Sequence, residues 1–203
     1  MQQHLIFSFY TIFFLYKFIL AIELTKDLDY LLKAHNQIRQ DARDCNITGQ
    51  PQAKRLPNLI WDNELASKAA ALSKTCNFRF SNVTTKKFKD VGQNIAAYAS
   101  VEIAMNEWIN EHNHYNFDNN TCTTSCGNYV QIVWHGTTHI GCGVTYCPKT
   151  RRFPYGVFVV CNYAPGAKFD RSPYDVVSYA KCPTGQWKWK QFNLNGENCY
   201  CYL

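Results

Sequence analysis

The residues of this chain best suited to metal or acid–base chemistry lie around Glu111. Glu111 and His114 are three positions apart and could share one face of a helix, with His112 close by. Carboxylate and imidazole groups bind zinc, but a zinc site needs three or four ligands, and no third ligand is evident here. The alternative is that both histidines lie near the C-terminal end of a helix, where the helix dipole stabilises them. His135 and His139 are expected on the surface or in packing contacts, so we predict no metal and no cofactor.

Cysteines form the second set of reactive residues. Zinc could bind such cysteines, but zinc knuckles need paired C-x-x-C motifs, and no such pair is present. An even number of cysteines behind a secretory segment instead predicts a disulfide framework formed in an oxidising compartment. The ten are Cys45, Cys76, Cys122, Cys126, Cys142, Cys147, Cys161, Cys182, Cys199 and Cys201.

The first 21 residues are typical of a cleaved secretory signal. An apolar run from Leu5 to Leu20 ends in Leu20-Ala21 and is followed by a polar stretch from Glu23. The alternative is an uncleaved anchor, but Lys17 would cost roughly 2.5–3.5 kcal/mol in the centre of a bilayer. Since no other apolar run is long enough to span a membrane, we expect a secreted protein that is not an integral membrane protein.

Sequons and net charge agree with an extracellular protein. Asn46, Asn82 and Asn119 each begin an N-x-Ser/Thr sequon, which predicts surface positions if they are glycosylated. The net charge is +6, and removal of Lys17 with the signal would leave one positive charge fewer. The basic residues form no concentrated block or face, so nucleic-acid binding is not expected.

The elements that would position these residues follow from hydrophobic periodicity and capping. An amphipathic helix is predicted over 26–43, with Asp27 and Asp29 in its first turn. Asp62 can cap a second helix that runs to about Thr75, and Ser100 can cap a third. A short fourth helix is predicted from Tyr129 to Trp134, and loops over 44–58 and 81–90. The apolar faces of the first and third helices contain Leu28, Leu31, Leu32, His35 and Ile38, and Val101, Ala104, Met105, Trp108 and Ile109.

Strand signals follow the helices. Thr138–Cys147 and Phe153–Tyr163 are rich in Val, Phe and Tyr and should pair as a hairpin, and a strand near Gln93–Tyr98 would complete a small sheet. Because the helices and strands do not alternate as βαβ units, an α+β fold is expected. We assign 22–166 to one domain and 167–203 to a C-terminal extension held by Cys182, Cys199 and Cys201.

Four ordered motifs resemble one family of secreted proteins. Between Leu28 and Gly166 the chain contains His35-Asn36-Gln37-Ile38-Arg39, Leu59-Ile60-Trp61-Asp62, Gln131-Ile132-Val133-Trp134 and Phe158-Val159-Val160-Cys161-Asn162-Tyr163-Ala164-Pro165-Gly166. Together they resemble the signatures of the CAP superfamily, and in particular the venom allergen-like proteins of helminths such as blood flukes. The resemblance implies a three-layer α-β-α sandwich with a central antiparallel sheet.

The resemblance also implies a cleft with two histidines and two acids, and three of these four positions are changed. Phe80 and Asn128 stand at the histidine positions, Gln93 stands at the first acid position, and only Glu111 is kept. Since Phe80 has no donor and amides are weak zinc ligands, the resemblance implies neither a metal site nor an enzyme. Gln93, Asn128 and Glu111 could instead hydrogen-bond one another.

Two lipid sites are implied by the resemblance. A sterol loop would place Tyr115, Phe117 and Cys122 at its three aromatic positions, although these aromatics could simply pack the loop. A fatty-acid channel would run between the first and third helices, whose apolar residues could equally form ordinary core. Its lining would be Leu28, Leu31, Leu32, Val101, Met105 and Ile109.

The same resemblance implies the disulfides Cys76–Cys147, Cys142–Cys161 and Cys122–Cys126. An alternative function is a rigid scaffold that binds extracellular proteins of a host. The segment 186–192, with Trp187 and Trp189 between basic and amide residues, could be its contact surface or a strand with one buried face.

Overall fold

The computed structural model describes residues 2–151, 153–183, 190–192 and 198–200, with side chains at Leu15, from Leu24 to Arg151 and from Phe153 to Pro183. The helices are α1 (Gln2–Arg43), α2 (Asn63–Ser73), α3 (Val101–Asn110) and α4 (Gly127–Ile132), and a 3-10 turn spans Glu111–His114. The strands are β1 (Pro51–Ala53), β2 (Ile60–Trp61), β3 (Gly92–Tyr98), β4 (Tyr115–Asn116), β5 (Thr121–Cys122), β6 (His139–Tyr146), β7 (Val157–Ala164), β8 (Val176–Lys181), β9 (Lys190–Phe192) and β10 (Asn198–Tyr200).

A four-stranded sheet in the order β2-β6-β7-β3 forms the middle layer. The predicted hairpin is β6–β7, whose register pairs Cys142 with Cys161, and β3 lies antiparallel to the other edge of β7. The expectation of an antiparallel sheet is wrong at one edge, because the two-residue strand β2 runs parallel to β6. The direction of β2 is set by the helix that follows it. β2 leads directly into α2, and α2 must begin where it can pack across β6 and β7.

The two faces of the sheet pack against different helices. Alternate side chains of β7 point to opposite faces, so Val157, Val159, Cys161 and Tyr163 join the larger core with α1, α3 and α4. Phe158 and Val160 join the smaller core beneath α2. This gives the three-layer α-β-α sandwich, in which each fully buried aliphatic side chain contributes about 1.5–3 kcal/mol.

Two glycines of β6 allow α2 to lie directly on the sheet. A Cβ at Gly141 would lie 2.2 Å from the backbone nitrogen of Ala66, and one at Gly143 would lie 2.3 Å from that of Ala70. Any side chain at either position would force the helix away from the strand. The smaller core therefore depends on these two residues.

The predicted helix caps are present in α2 and α3, whereas the start of α1 differs. The Asp62 carboxylate accepts from the backbone N–H groups of Glu64 and Leu65, and Ser100 Oγ accepts from Ile103. However, α1 begins at Gln2 rather than near residue 26, so Asp27 does not lie in a first turn. Asp27 is instead buried, where it accepts a hydrogen bond of 2.7 Å from the Tyr146 hydroxyl.

Arg39 connects α1 to the end of α4. Its buried guanidinium donates to the carbonyl oxygens of Ile132 and Trp134, both at 2.9 Å, and its Nε donates to Pro57 O at 2.7 Å. Burial, with Arg43 nearby, lowers the pKa of Arg39 to about 9. These bonds satisfy carbonyl groups that the end of a helix leaves unpaired.

The segment after the sandwich is anchored to the loop after α1. The predicted loop 44–58 contains β1, which pairs with β8, and Cys45 is bonded to Cys182. Local composition could not reveal β1, because its partner strand is more than 120 residues away. The side chains of Cys199 and Cys201 and the residues Trp187 and Trp189 lie outside the described residues, whereas β9 and β10 pair antiparallel. Within the described residues, no helix has the length and apolar character to cross a membrane.

Candidate functional site

A cleft of about 530 Å³ lies between β3, the α3 end and the start of α4. It brings together Glu111 and Asn128, two of the four positions that the sequence singled out. Phe80 and Gln93 do not line it. Its described lining is Phe78, Ile95, Ala96, Ala97, Tyr98, Glu107, Trp108, Asn110, Glu111, His114, Thr124, Ser125, Asn128 and Tyr155.

The Glu111 carboxylate caps α4 from outside that helix. Its Oε2 accepts from the backbone N–H groups of Asn128 at 2.7 Å and Tyr129 at 3.1 Å, and its Oε1 accepts from Asn128 Nδ2 at 2.7 Å. Cys126, at the N-cap position, makes no side-chain cap. Glu111 therefore satisfies N–H donors that the first turn leaves unpaired, which explains why α4 begins at Gly127 rather than at Tyr129.

Gln93 belongs to a different set of contacts. Its Oε1 accepts from Ser81 N at 2.9 Å, and its Nε2 donates to Asn162 Oδ1 at 2.8 Å. The register of β3 and β7 places Gln93 opposite Asn162, so both side chains point to the α2 face of the sheet. The hypothesis of a single network was wrong for Gln93, while Asn128 and Glu111 do bond.

The residues at the four positions do not fit a zinc ion. The Phe80 side chain has no donor atom and is 66% exposed. Gln93 is on the far side of the sheet, and the Glu111 oxygens are bonded to α4. Across the described part of the chain, no group of three His, Cys, Asp or Glu side chains could hold a metal ion. We therefore derive no chemistry through a metal.

The two histidines after Glu111 point to different environments. His112 is buried, its Nδ1 lies 2.9 Å from Ile109 O, and its ring packs against Tyr129. Burial lowers the pKa of His112 and disfavours its charged form. His114 is exposed and lines the cleft. In the 3-10 turn Glu111–His114, side chains three residues apart lie on the same side, so Glu111 and His114 both line the cleft, whereas His112 points into the core.

Sequence reasoning missed several residues of the cleft. Glu107 precedes Glu111 by one helical turn, so its spacing could have placed it on the same face. Tyr98 and Tyr155 come from β3 and the loop before β7, and no local pattern connects them with α3. Burial, followed by the charges of Glu107 and Glu111, raises the pKa of Tyr98.

The residues that the resemblance implies for a fatty-acid channel all belong to, or pack against, the larger core. Leu31, Val101, Met105 and Ile109 are buried in the larger core. Leu28 and Leu32 are only partly buried and pack against that core.

The residues of the proposed sterol loop are packed inward. Tyr115 and Phe117 are 5% and 3% exposed, and Phe117 lies 4.8 Å from Tyr174 between ring centroids. The Tyr115 hydroxyl donates to Asn120 Oδ1 at 2.8 Å. Cys122, at the third position, is bonded to Cys126. These aromatics pack the loop, so a sterol would reach them only if the loop opened.

The structure contains the three disulfides that the resemblance implies, Cys76–Cys147, Cys142–Cys161 and Cys122–Cys126. The fourth, Cys45–Cys182, was not foreseen. Asn82 and Asn119 are exposed, whereas Asn46 is half-buried.

Known proteins share this fold and these motifs. Residues 32–163 match the Cysteine-rich secretory protein family. GLIPR1-like protein 1 of Mus musculus is 34% identical over 153 residues, 71% of this chain and 61% of that protein. Salivary antigen-5 of Triatoma infestans is 28% identical over 184 residues, 77% of this chain and 75% of that protein. The chain therefore spans about three fifths of the length of the mouse relative.

Solved structures of other proteins show the same fold. Venom allergen-like protein 4 of Schistosoma mansoni superposes with a TM-score of 0.70 at 38% identity, covering 77% of this chain and 98% of that one. NaASP2, solved with Zn²⁺, shares the fold at 21% identity, with a TM-score of 0.58 and coverage of 77% and 87%. The ordered motifs, the α-β-α sandwich and these matches lead to one conclusion: this chain belongs to the cysteine-rich secretory protein (CAP) family.

Proposed function

We propose that this CAP protein is secreted, acts without catalysis, and binds a lipid, a sterol or a fatty acid, between α1 and α3 at the interface between a parasite and its host. The four disulfides among the described residues support an oxidising, extracellular location. The absence of catalysis is supported by the four family positions, because Phe80, Gln93 and Asn128 offer no base and the Glu111 carboxylate is bonded to α4.

The observation that carries the lipid proposal is the buried hydroxyl of Tyr30. Tyr30 lies on α1 beside Leu31, is 6% exposed, and its hydroxyl has no hydrogen-bond partner among the described residues. A buried hydroxyl without a partner costs roughly 1–3 kcal/mol. A ligand head group that bonds this hydroxyl would remove that cost.

The surroundings of Tyr30 suit an alkyl or sterol body. Leu31 and Met105 are fully buried, and the partly exposed Leu28 and Leu32 provide the side from which a ligand could enter. Each CH₂ group transferred into such surroundings contributes about 0.8 kcal/mol.

The charge near Tyr30 bears on which lipid binds. Burial, and to a smaller degree the Glu102 carboxylate, raise the pKa of Tyr30, which keeps the hydroxyl protonated. A negative carboxylate nearby favours a neutral sterol hydroxyl over an ionised fatty acid. We therefore expect cholesterol to bind more tightly than palmitate.

Saturable binding of radiolabelled cholesterol and palmitate to the secreted, glycosylated protein tests the proposal. Leu32→Trp should fill the entrance and abolish binding, and Tyr30→Phe should weaken cholesterol binding roughly tenfold by removing one hydrogen bond. Ile60→Trp adds similar bulk on the exposed edge strand β2 and should leave binding unchanged.

Circular dichroism and thermal melts establish that each variant is folded. The absence of saturable binding of either lipid would refute the lipid proposal. Binding that survives Leu32→Trp but is lost in Tyr115→Ala would refute the helix site and favour the sterol loop.

A second candidate function is a scaffold for host extracellular proteins. It is supported by β8, which exposes Val177 at 60% and Tyr179 at 72% on a segment anchored by Cys45–Cys182. Binding to defined plasma proteins that is lost in Tyr179→Ser, and kept in Leu32→Trp, would favour this function over lipid binding.

A further inference from the structure

The cleft beside Glu111 has the dimensions of a ligand site. Its volume of about 530 Å³ falls within the roughly 300–1,000 Å³ typical of pockets for small molecules. It is separate from the Tyr30 region, since Tyr30 does not line it. The cleft is therefore a second candidate ligand site.

Aromatic side chains form much of the cleft wall. Phe78 and Tyr155 are 53% and 46% exposed, so their rings are available to a ligand. Both rings are supported from behind, because Phe78 packs against Phe158 and Tyr155 against Phe153. Trp108 lies behind this wall, because it is only 2% exposed and its Nε1 donates to Ile95 O at 3.3 Å. The aromatic faces are thus held in place before any ligand arrives.

The charged groups of the cleft are acidic, although the whole chain is basic. Glu107 on α3 and Glu111, the first residue of the following 3-10 turn, are four residues apart and both line the cleft, and Glu107 is exposed. Of the described residues that line the cleft, none is Lys or Arg. An anionic ligand would be repelled here, while a cation would be attracted by both carboxylates and by the negative faces of the rings.

A metal ion is a poor match for this arrangement. The Glu111 oxygens are engaged with α4, and no group of three potential ligands exists in the described part of the molecule. Aromatic walls also offer a metal ion no donor. An ammonium or guanidinium group on an apolar body, by contrast, would be attracted by the carboxylates and by the faces of the rings, and its apolar body would pack against those rings.

We propose that the cleft formed by Phe78, Tyr98, Glu107 and Tyr155 binds an organic cation, an ammonium or guanidinium group attached to an apolar or aromatic body. Glu107 pairs with the charge, and the rings contact both the charge and the body. The cation is either a free amine or a Lys or Arg side chain of a protein. Both sources present the same chemistry.

Isothermal titration calorimetry with phenethylammonium tests this site. The neutral 2-phenylethanol and the anionic 3-phenylpropanoate have similar bodies and should bind much more weakly. Glu107→Gln and Tyr155→Leu should each weaken phenethylammonium binding by roughly 5- to 30-fold. Asp29→Asn removes an exposed carboxylate on α1 that pairs with Lys33, outside the cleft, and should leave the affinity unchanged.

Competition by capped lysine and arginine amides identifies the source. If these amides displace phenethylammonium, the cleft accepts a basic side chain of a partner; if only free amines bind, the ligand is a small molecule. Equal binding of 3-phenylpropanoate, no saturable binding in the millimolar range, or unchanged affinity in Glu107→Gln would overturn the proposal. Displacement by micromolar Zn²⁺ would also overturn it, because it would make the cleft a metal site.

Discussion

Glu111 offers the sharpest test of how the cleft has been built. If its carboxylate serves to cap α4, replacing it should destabilise the protein whether or not a ligand is present. Glu111→Ala removes the acceptor for three N–H donors, two from the backbone of Asn128 and Tyr129 and one from the Asn128 side chain. Glu111→Gln keeps one acceptor oxygen but removes the charge.

The magnitude follows from these bonds. A hydrogen bond to a charged group contributes roughly 1.5–3 kcal/mol, and a carboxylate at a helix N-terminus adds about 0.3–1 kcal/mol. Glu111 is only partly buried, so water can replace some of what is lost. We therefore expect the free energy of unfolding to fall by about 3 kcal/mol in Glu111→Ala and about 1–2 kcal/mol in Glu111→Gln. For a chain of this length, the larger loss lowers the Tm by roughly 6–12 °C.

Urea unfolding followed by circular dichroism measures these changes, with disulfides kept intact. Glu107→Gln is the matched control, since it removes the same charge one turn earlier from an exposed side chain that lines the same cleft. It should change the free energy of unfolding by less than about 0.5 kcal/mol.

Equal stabilities of Glu111→Ala and Glu107→Gln would refute the capping role. In that case the Glu111 bonds would be incidental, and the carboxylate would be free for another function. A loss confined to Glu111 would show that this position is required for the fold without any metal.

Four further predictions concern the pH dependence of stability, two buried hydroxyls and the response to zinc. Burial lowers the pKa of His35 from its usual value of 6.5 to about 4 in the folded protein. As the pH falls, His35 therefore binds a proton in the unfolded chain before it does so in the folded protein. The free energy of unfolding should consequently fall by about 2 kcal/mol between pH 7 and pH 5. Urea unfolding at both pH values should show this drop, and a smaller one in His35→Gln, where the lowered pKa of His112 still contributes in the same direction. Tyr163→Phe removes the hydroxyl that bonds His35 Nε2 at 2.7 Å and should cost about 1–2 kcal/mol; Tyr30→Phe removes a hydroxyl without a described partner and should leave thermal stability equal or higher. Finally, excess Zn²⁺ should not raise the Tm of the unmodified protein, and an increase of several degrees would contradict the assignment of Phe80, Gln93 and Asn128 as positions that no longer bind metal.

Much of the local structure could be predicted because its causes are local. Asp62 and Ser100 cap α2 and α3 through neighbouring N–H groups, and the Val- and Tyr-rich runs of β6 and β7 meet across a short connection. The buried face of α3 also follows from helical spacing alone. The first half-turn of α4 could not be predicted from local caps, because α4 is capped by Glu111, which lies 16 residues before Gly127, the first residue of that helix.

Contacts between distant segments could not be predicted from periodicity. β1 has only three residues and forms a strand because β8 pairs with it, and the same partnership brings Cys45 next to Cys182. Gln93 and Asn128 both stand at changed positions of the family cleft, yet the sheet register sends Gln93 to the α2 face. A one-residue change in register would reverse that direction.

The sequence by itself therefore determined the family, the helices with local caps, the main strands, and the presence of Phe80, Gln93 and Asn128, whose side chains are poor zinc ligands. These features depend on residue types and on short spacings along the chain, which can be read directly from the sequence. Only the tertiary structure decided that Glu111 supports α4, that Tyr30 has a buried hydroxyl without a described partner, and that Glu107 and Tyr155 line the same cleft. Those relations depend on how separate elements pack, and packing is set by the sum of many distant contacts rather than by any one segment.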